Sequence, residues 1–394
     1  MKRMLLASAA MAILTGAASA EEVKIGISIG FTGPLESLAP AMAAGAELAM
    51  KEVSESGKLL DGSTLVPVRA DSTCTDAAAA TAAVERIVTS DRVKAIMGGM
   101  CSGETIATLQ NVAMPNGIVM ISPSATSPAL STMESNGLFF RTSPSDARQG
   151  QVMAEIMEAR GIKQVAVTYT NNDYGKGLAD SFVAAFKAAG GEVTIVASHE
   201  DGKADYSAEV GALASAGGEV LVIAGYIDQG GGGVLRAAID SGAFDTFEFP
   251  DGMVSQTLED RFGAEITGSF GQNPAAAGEG REKYVALGQQ HGFDATSAFS
   301  AESYDAVALM ALAMEAAKST DSAQWKTKVM DVANAPGEKI YPGEIAKGIE
   351  LIKAGQDVDY VGASAVEFVP PGESAGSYRE VQFTDGKMEV VGYR

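Results

Sequence analysis

From Val23 onward, short β-branched runs alternate with longer stretches in which apolar residues recur every three or four positions. VKIGISI (23–29), TLVPVRAD (64–71), KAIMGG (94–99) and GIVMIS (117–122) read as strands, and AMAAGAELAMKEV (41–53), DAAAATAAVERIV (76–88) and the segment opening at Gly103 read as helices. This βαβ repetition predicts a parallel sheet covered by helices on both faces. FFRTSPSD (139–146) interrupts it, and a second series of the same kind follows, with strands QVAVTYT (164–170), EVTIVAS (192–198) and EVLVIAG (219–225). Two consecutive series predict two doubly wound α/β lobes, each with its own sheet. The last third reads as four helical segments and a closing hairpin, YREVQFTDGKMEVVGYR, with its turn at Asp385-Gly386.

The first residues break this pattern in a different way. Lys2 and Arg3 precede an apolar run from Met4 to Leu14, and Ala18-Ser19-Ala20 supplies a small-residue cleavage site. The segment reads as a secretory signal peptide removed after Ala20, since the run is far shorter than the roughly 20 residues that span a bilayer. The mature chain is then expected to be free and exported, in the periplasm of a bacterium with two membranes. Export bears on the only two cysteines, Cys74 and Cys101, because an oxidising compartment favours their pairing. The net charge of −21 disfavours nucleic acid and anionic surfaces as partners.

Enzymatic readings find little support. Gly99-Met100-Cys101-Ser102-Gly103 departs by one position from the G-x-S-x-G nucleophile elbow, and the two histidines, His199 and His291, read as ordinary solvated residues. No His, Cys and carboxylate set has metal-ligand spacing, and Gly26, Gly30 and Gly33 do not match the dinucleotide fingerprint. Neither cofactor nor metal is expected.

Strand-to-helix turns are more informative, because ligands of doubly wound sheets lie outside the carboxyl ends of the strands, facing helix N-termini. Two such turns carry small hydroxyl residues, Cys101-Ser102-Gly103 and Ser122-Pro123-Ser124-Ala125-Thr126. The hydroxyls of Ser102 and Thr126 are candidates for holding a carboxylate, although helix capping uses the same residue types. In the second series Tyr174, Tyr226 and Asp251 stand at strand ends, where a carboxylate with tyrosine hydroxyls suits an ammonium group. Asp251 before Gly252 also fits an ordinary turn.

IGISIGFTGP, DSTCTDAAAATAAVERIV, GGMCSGETIATL, ISPSATSPAL, NNDYGKGLADSF and AGYIDQGGGGVLRAAIDSG, together with the signal peptide, resemble the periplasmic leucine/isoleucine/valine-binding proteins of ABC importers. The resemblance spans nearly the whole mature chain. It implies the type I periplasmic binding protein fold, two lobes joined by three crossovers near 143–145, 272–273 and 355–360, with 21–143 plus 273–355 in the first lobe and 144–272 plus 356–394 in the second. It matches Cys74 and Cys101 to the family's disulfide, Ser102, Ser124, Ala125 and Thr126 to the ligand α-carboxylate, and Tyr174, Tyr226 and Asp251 to the ammonium. Asp251 stands where the family usually has Glu. Leu38 replaces a frequent aromatic and, with Met100 and Phe299, is expected to line the side-chain pocket.

The function implied is non-enzymatic: binding of an aliphatic, branched-chain amino acid between the lobes and delivery to a membrane ABC permease by a monomer. A receptor for another small carboxylate or amide, such as an aromatic acid, is the alternative in the same fold. A secreted hydrolase using Ser102 and a sensory ligand domain are the rivals from other classes.

Overall fold

A computed structural model describes residues 20–394, so the signal segment other than Ala20 lies outside the described residues. The strands are β1 Glu22–Ile29, β2 Thr64–Asp71, β3 Ala95–Gly98, β4 Met120–Ser122, β5 Phe139–Arg141, β6 Gln164–Thr170, β7 Glu192–His199, β8 Val220–Ala224, β9 Phe247–Phe249, β10 Phe270–Pro274, β11 Glu338–Ile340, β12 Val358–Tyr360, β13 Phe368–Val369, β14 Glu373–Ser374, β15 Tyr378–Thr384 and β16 Lys387–Tyr393. They form two seven-stranded sheets, ordered β13-β14-β5-β4-β3-β1-β2 and β16-β15-β10-β9-β8-β6-β7, and a small β11-β12 pair. Within each large sheet the strands of the βα series run parallel, and an antiparallel hairpin closes one edge. Helices cover both faces, which explains why β3, β4, β8 and β10 are buried along their whole length.

In the first sheet the order reverses beside β1, which has β2 on one side and β3 on the other; β6 plays the same part in the second, between β7 and β8. These switch points leave crevices beyond the strand ends, and the turns after β1, β3, β6, β8 and β9 face one another there. The helix Ser300–Ala317 is apolar around nearly its whole circumference because it is buried against the helices Ala39–Ser56 and Ile345–Lys353. Gly45 permits the closest approach: a Cβ there would lie 2.4 Å from the Ser300 carbonyl oxygen. The hairpin at Asp385-Gly386 has both turn residues at positive φ, 49° and 83°, as a two-residue turn requires.

The crossovers differ from the sequence expectation in two places. Gln272 and Asn273 are not a link but belong to β10 and pair with β15, so the second passage begins after Pro274. The third does not fall at 355–360. Residues 356–374 remain with the first lobe, where β12 pairs with β11 and β14 pairs with β5 through Glu373 and Arg141, and the chain passes to the second sheet between Ser374 and Tyr378. The two-residue strands β13 and β14 leave no alternation to read, and Pro370-Pro371 between them has the look of a linker. The three passages run side by side: Ala275 N–H donates to Ser377 O at 3.0 Å, and Gly376 sits against Pro144.

Candidate ligand-binding site between the lobes

The lobes meet across the crevice. The Asp228 N–H donates to Pro34 O at 3.2 Å, and Asp228 Oδ2 accepts from Ser37 N–H at 3.0 Å. They bound a narrow, partly open chamber between them. Leu35, Met100, Cys101, Ser102, Ser124 and Phe299 line it from one side, and Tyr174, Tyr226, Asp251 and Gly252 from the other.

On the first side the turn after β3 is fixed by a disulfide, Cys74 to Cys101, and by a buried carboxylate. Closing a loop with this 27-position separation stabilises the fold by about 3 to 4 kcal/mol on the chain-entropy model. Glu104 Oε1 accepts the N–H groups of Met100 (2.7 Å) and Cys101 (3.2 Å), and burial pushes its carboxyl up to about 8. Ser122 Oγ donates to Gly99 O (2.7 Å) and accepts the Ala125 N–H (2.9 Å); Ser124 Oγ donates to Met100 O (2.7 Å). Ser102 Oγ accepts from Ser127 N–H at 3.1 Å, which leaves its proton to be donated. Ser102 opens the helix Ser102–Thr108, whose first N–H groups have no intrahelical acceptor. Phe299, at φ +62°, directly precedes the helix Ser300–Ala317, a backbone state rare for a bulky residue.

On the second side Asp251, 1% exposed, follows β9. Tyr174 Oη donates to its Oδ1 at 2.6 Å, and the Gly252 N–H donates to the same oxygen at 2.9 Å. The rings of Tyr174 and Tyr226 stack with centroids 5.1 Å apart. Asp146, wholly buried at the start of the helix Asp146–Ala159, is the partner that sequence reasoning missed. The Gln149 amide, turned to satisfy both neighbours, donates to Asp146 Oδ1 and accepts the Asp251 N–H, each at 3.1 Å. Burial raises the Asp146 carboxyl well above its ordinary range, and the neighbouring Asp251 charge raises it further, against the Thr126 hydroxyl and the Arg141 charge. Burial likewise pushes Asp251 up to about 6, against the hydrogen bonds from Tyr174 and Gly252. Asp251 thus lines a chamber with no lysine or arginine among its lining residues, and Asp146 stands one side chain behind it.

The placement of the other candidates is mixed. Met100, Ser102, Ser124, Tyr174, Tyr226, Asp251 and Phe299 come together at the chamber. Ala125 and Thr126 do not line it. The Ala125 N–H is engaged by Ser122, and the buried Thr126 hydroxyl stands behind the wall beside Asp146 without a well-formed bond. Leu38 does not line it either. It ends the turn just before the helix Ala39–Ser56 and faces a separate gap with Ser255 and Phe293, while Leu35 occupies the chamber. His199, read as solvated, is 1% exposed, with Nδ1 2.8 Å from Thr168 Oγ1, and burial lowers its pKa to about 4.

Residues 22–338 match the family model described as "Periplasmic binding protein". The Leu/Ile/Val-binding protein homolog 1 of Brucella melitensis is 30% identical over 347 residues, covering 86% of this chain and 89% of its own. The chain therefore belongs to the periplasmic binding protein family, a family of solute receptors. The Leu/Ile/Val-binding protein of Citrobacter freundii is 29% identical over 271 residues, 68% of this chain and 72% of its own. In fold the chain is similar to the leucine-binding protein LivK of Thermotoga maritima, with a TM-score of 0.79, 21% identity and 94% and 98% of the two chains covered. It is also similar to the branched-chain amino acid binding protein LivJ of Streptococcus pneumoniae in complex with isoleucine, with a TM-score of 0.77, 23% identity and 94% and 99% covered. These likenesses establish the two-lobe α/β architecture of the type I binding proteins.

Proposed function

We propose that the chain is the exported receptor of an ABC importer, freed by cleavage after Ala20, which takes leucine, isoleucine or valine into the interlobe chamber and presents it, as a monomer, to a membrane permease. The observation that carries this reading is the buried Asp251, backed through Gln149 by the buried Asp146, in a chamber lined by no cationic side chain. Buried carboxylates without a counter-charge are costly, and the ammonium of a zwitterion supplies the missing cation. Ser102 and the N–H groups at the start of its helix offer donors for the α-carboxylate; Leu35, Met100 and Phe299 offer an apolar wall for the side chain. A ligand touching both lobes binds the closed form better than the open one, and this difference drives closure. Closure in turn is the signal a permease can read. A carboxylic acid with no amino group leaves Asp251 without a cation and adds a second negative charge beside it, which disfavours the aromatic-acid alternative.

Calorimetry across the twenty amino acids and a set of aromatic acids tests the reading. Each buried methylene adds about 0.8 kcal/mol, so leucine is expected to outbind alanine by roughly fifty-fold. Alanine, glutamate or a ligand without an α-amino group binding tightest overturns it.

A further inference from the structure

Arg141 lies outside the chamber, yet it holds the loop behind the chamber's first wall by two hydrogen bonds. It ends β5, is wholly buried, and sits between Ser122 on β4 and Glu373 on β14. Its Nη1 donates to the carbonyls of Ala125 and Ser127, both at 3.0 Å, one on each side of Thr126. Nη2 donates to Ser131 Oγ (2.7 Å) and Glu373 Oε2 (2.5 Å), and Nε donates to the same Glu373 oxygen at 3.1 Å. Ser131 Oγ in turn donates to Glu373 Oε2 at 2.7 Å. All five guanidinium N–H groups are therefore used, an arrangement that a lysine ammonium cannot reproduce.

The positions of these groups along the chain are as telling as their contacts. Arg141 immediately precedes the first passage between the lobes, and Glu373 stands two residues before the third. The carbonyl of Thr126 itself accepts the Asp146 N–H at 2.8 Å, so the loop held by Arg141 on two sides bonds directly to the backbone of the buried acid. We propose that the Arg141–Glu373 pair, steadied by Ser131, is a positioning strap: it fixes the loop Ser122–Ser127 in its binding geometry and ties it to two of the three passages on which the lobes turn. Preorganising such a loop before ligand arrives raises affinity by removing an ordering cost. Arg141 touches no ligand in this arrangement. It acts through the loop.

A buried arginine and its carboxylate could equally be structural cement, so the test separates stability from binding. Removing one charge alone leaves the other buried and unpaired, whereas replacing both by apolar groups of similar size is often neutral for stability. The double variant Arg141→Met/Glu373→Leu is therefore compared with the parent in three measurements: ligand-free melting, amide exchange of 124–127 in the ligand-free protein, and the Kd for leucine. The strap predicts a melting temperature within a few degrees of the parent, at least tenfold faster exchange in 124–127 with β1 and β3 unchanged, and a Kd at least tenfold weaker. Arg141→Lys, which keeps the charge but not the fork, is expected to fall between the two in exchange and in Kd. Exchange in 124–127 equal to the parent's, or a Kd within twofold of it in the double variant, overturns the proposal. If the double variant does not fold, Ser131→Ala takes its place, with the same direction at about threefold and the same overturning result of no change. The inference about affinity rests on the amino-acid reading of the chamber; a parent that binds none of the amino acids sinks that reading, and the exchange measurement then decides the strap by itself.

Discussion

On the first-lobe wall of the chamber most polar groups already have protein partners. Ser122 and Ser124 hold carbonyls of the turn after β3, Glu104 takes two of its N–H groups, and the Cys74–Cys101 disulfide clamps its end. On the second-lobe wall, Asp251 is buried with hydrogen bonds but no cation lines the chamber beside it, and Asp146 stands behind it, joined through Gln149. The first wall is fixed in advance, whereas the second presents a buried carboxyl that, on the proposed reading, a ligand's ammonium pairs. A rigid donor set provides orientation at little selectivity, while an unpaired buried charge provides selectivity at a cost to the empty protein.

Removing the need is the sharpest way to test that contrast. Asp251→Ala is expected to weaken leucine binding by about 2 to 5 kcal/mol, the usual cost of deleting one member of a buried charge pair. Its ligand-free melting temperature is expected to hold or to rise, because Asp146 no longer faces a second carboxylate. Calorimetry placing the variant within about threefold of the parent, well under 1 kcal/mol, would return Asp251 to the role of a turn residue.

The second test uses protons. Asp251 is raised to about 6 and Asp146 is raised beside it, so below that pH the empty pair holds protons that an ammonium must displace. Raised carboxyls contribute stability to the empty protein that is fully present below their unfolded pKa and is lost as pH rises through the folded one. Affinity has the opposite sign. It is expected to fall about tenfold per pH unit as the pH drops below about 6, where Asp251 takes up its proton. Calorimetry in buffers of different ionisation enthalpy should show proton release on binding near pH 6, reduced in Asp251→Asn. Proton uptake, or an affinity that is flat from pH 5 to 7, contradicts the two-acid wall.

How far these walls were legible in the sequence depends on the kind of signal. Alternation of period 2 with period 3.6 announced the two doubly wound lobes, and strand ends singled out Ser102, Thr126, Tyr174, Tyr226 and Asp251, because topology alone sends such positions toward the crevice; of these Thr126 does not line the chamber, and Ser124, which does, was named as a ligand contact only by the family resemblance. Asp146 was not legible: after Ser145, whose Oγ caps the helix, it has the form of an ordinary acid in a first helical turn. Only the folding of the first passage against β9 brings it to Asp251. The third passage was misplaced because two-residue strands have no period, and Glu373, the strap's carboxylate, was hidden with it. The strap itself is non-local, joining residues 125, 127, 131, 141 and 373, and no spacing rule reports such a set.

The smallest expected effect concerns the apolar end of the chamber and the misreading of Leu38. The turn FTGPLESLAP has no helical or strand period until Ala39, so which leucine faces the ligand could not be counted off. In the fold both are core residues, Leu35 at 4% and Leu38 at 3% exposure, so shortening either by one methylene should lower stability by a similar, modest amount. Melting temperature therefore cannot tell them apart. Ligand affinity can, because only Leu35 lines the chamber. Leu35→Val is expected to weaken leucine by about 0.8 kcal/mol, roughly fourfold, with a smaller loss for valine, whose shorter side chain reaches less of that wall. Leu38→Val is expected to leave both affinities within about 1.5-fold of the parent, since its contacts lie with Phe293 and the start of the helix Ala39–Ser56. The reverse pattern would place the side-chain wall at Leu38, and the chamber bounded by Leu35 would then hold the ligand's head alone.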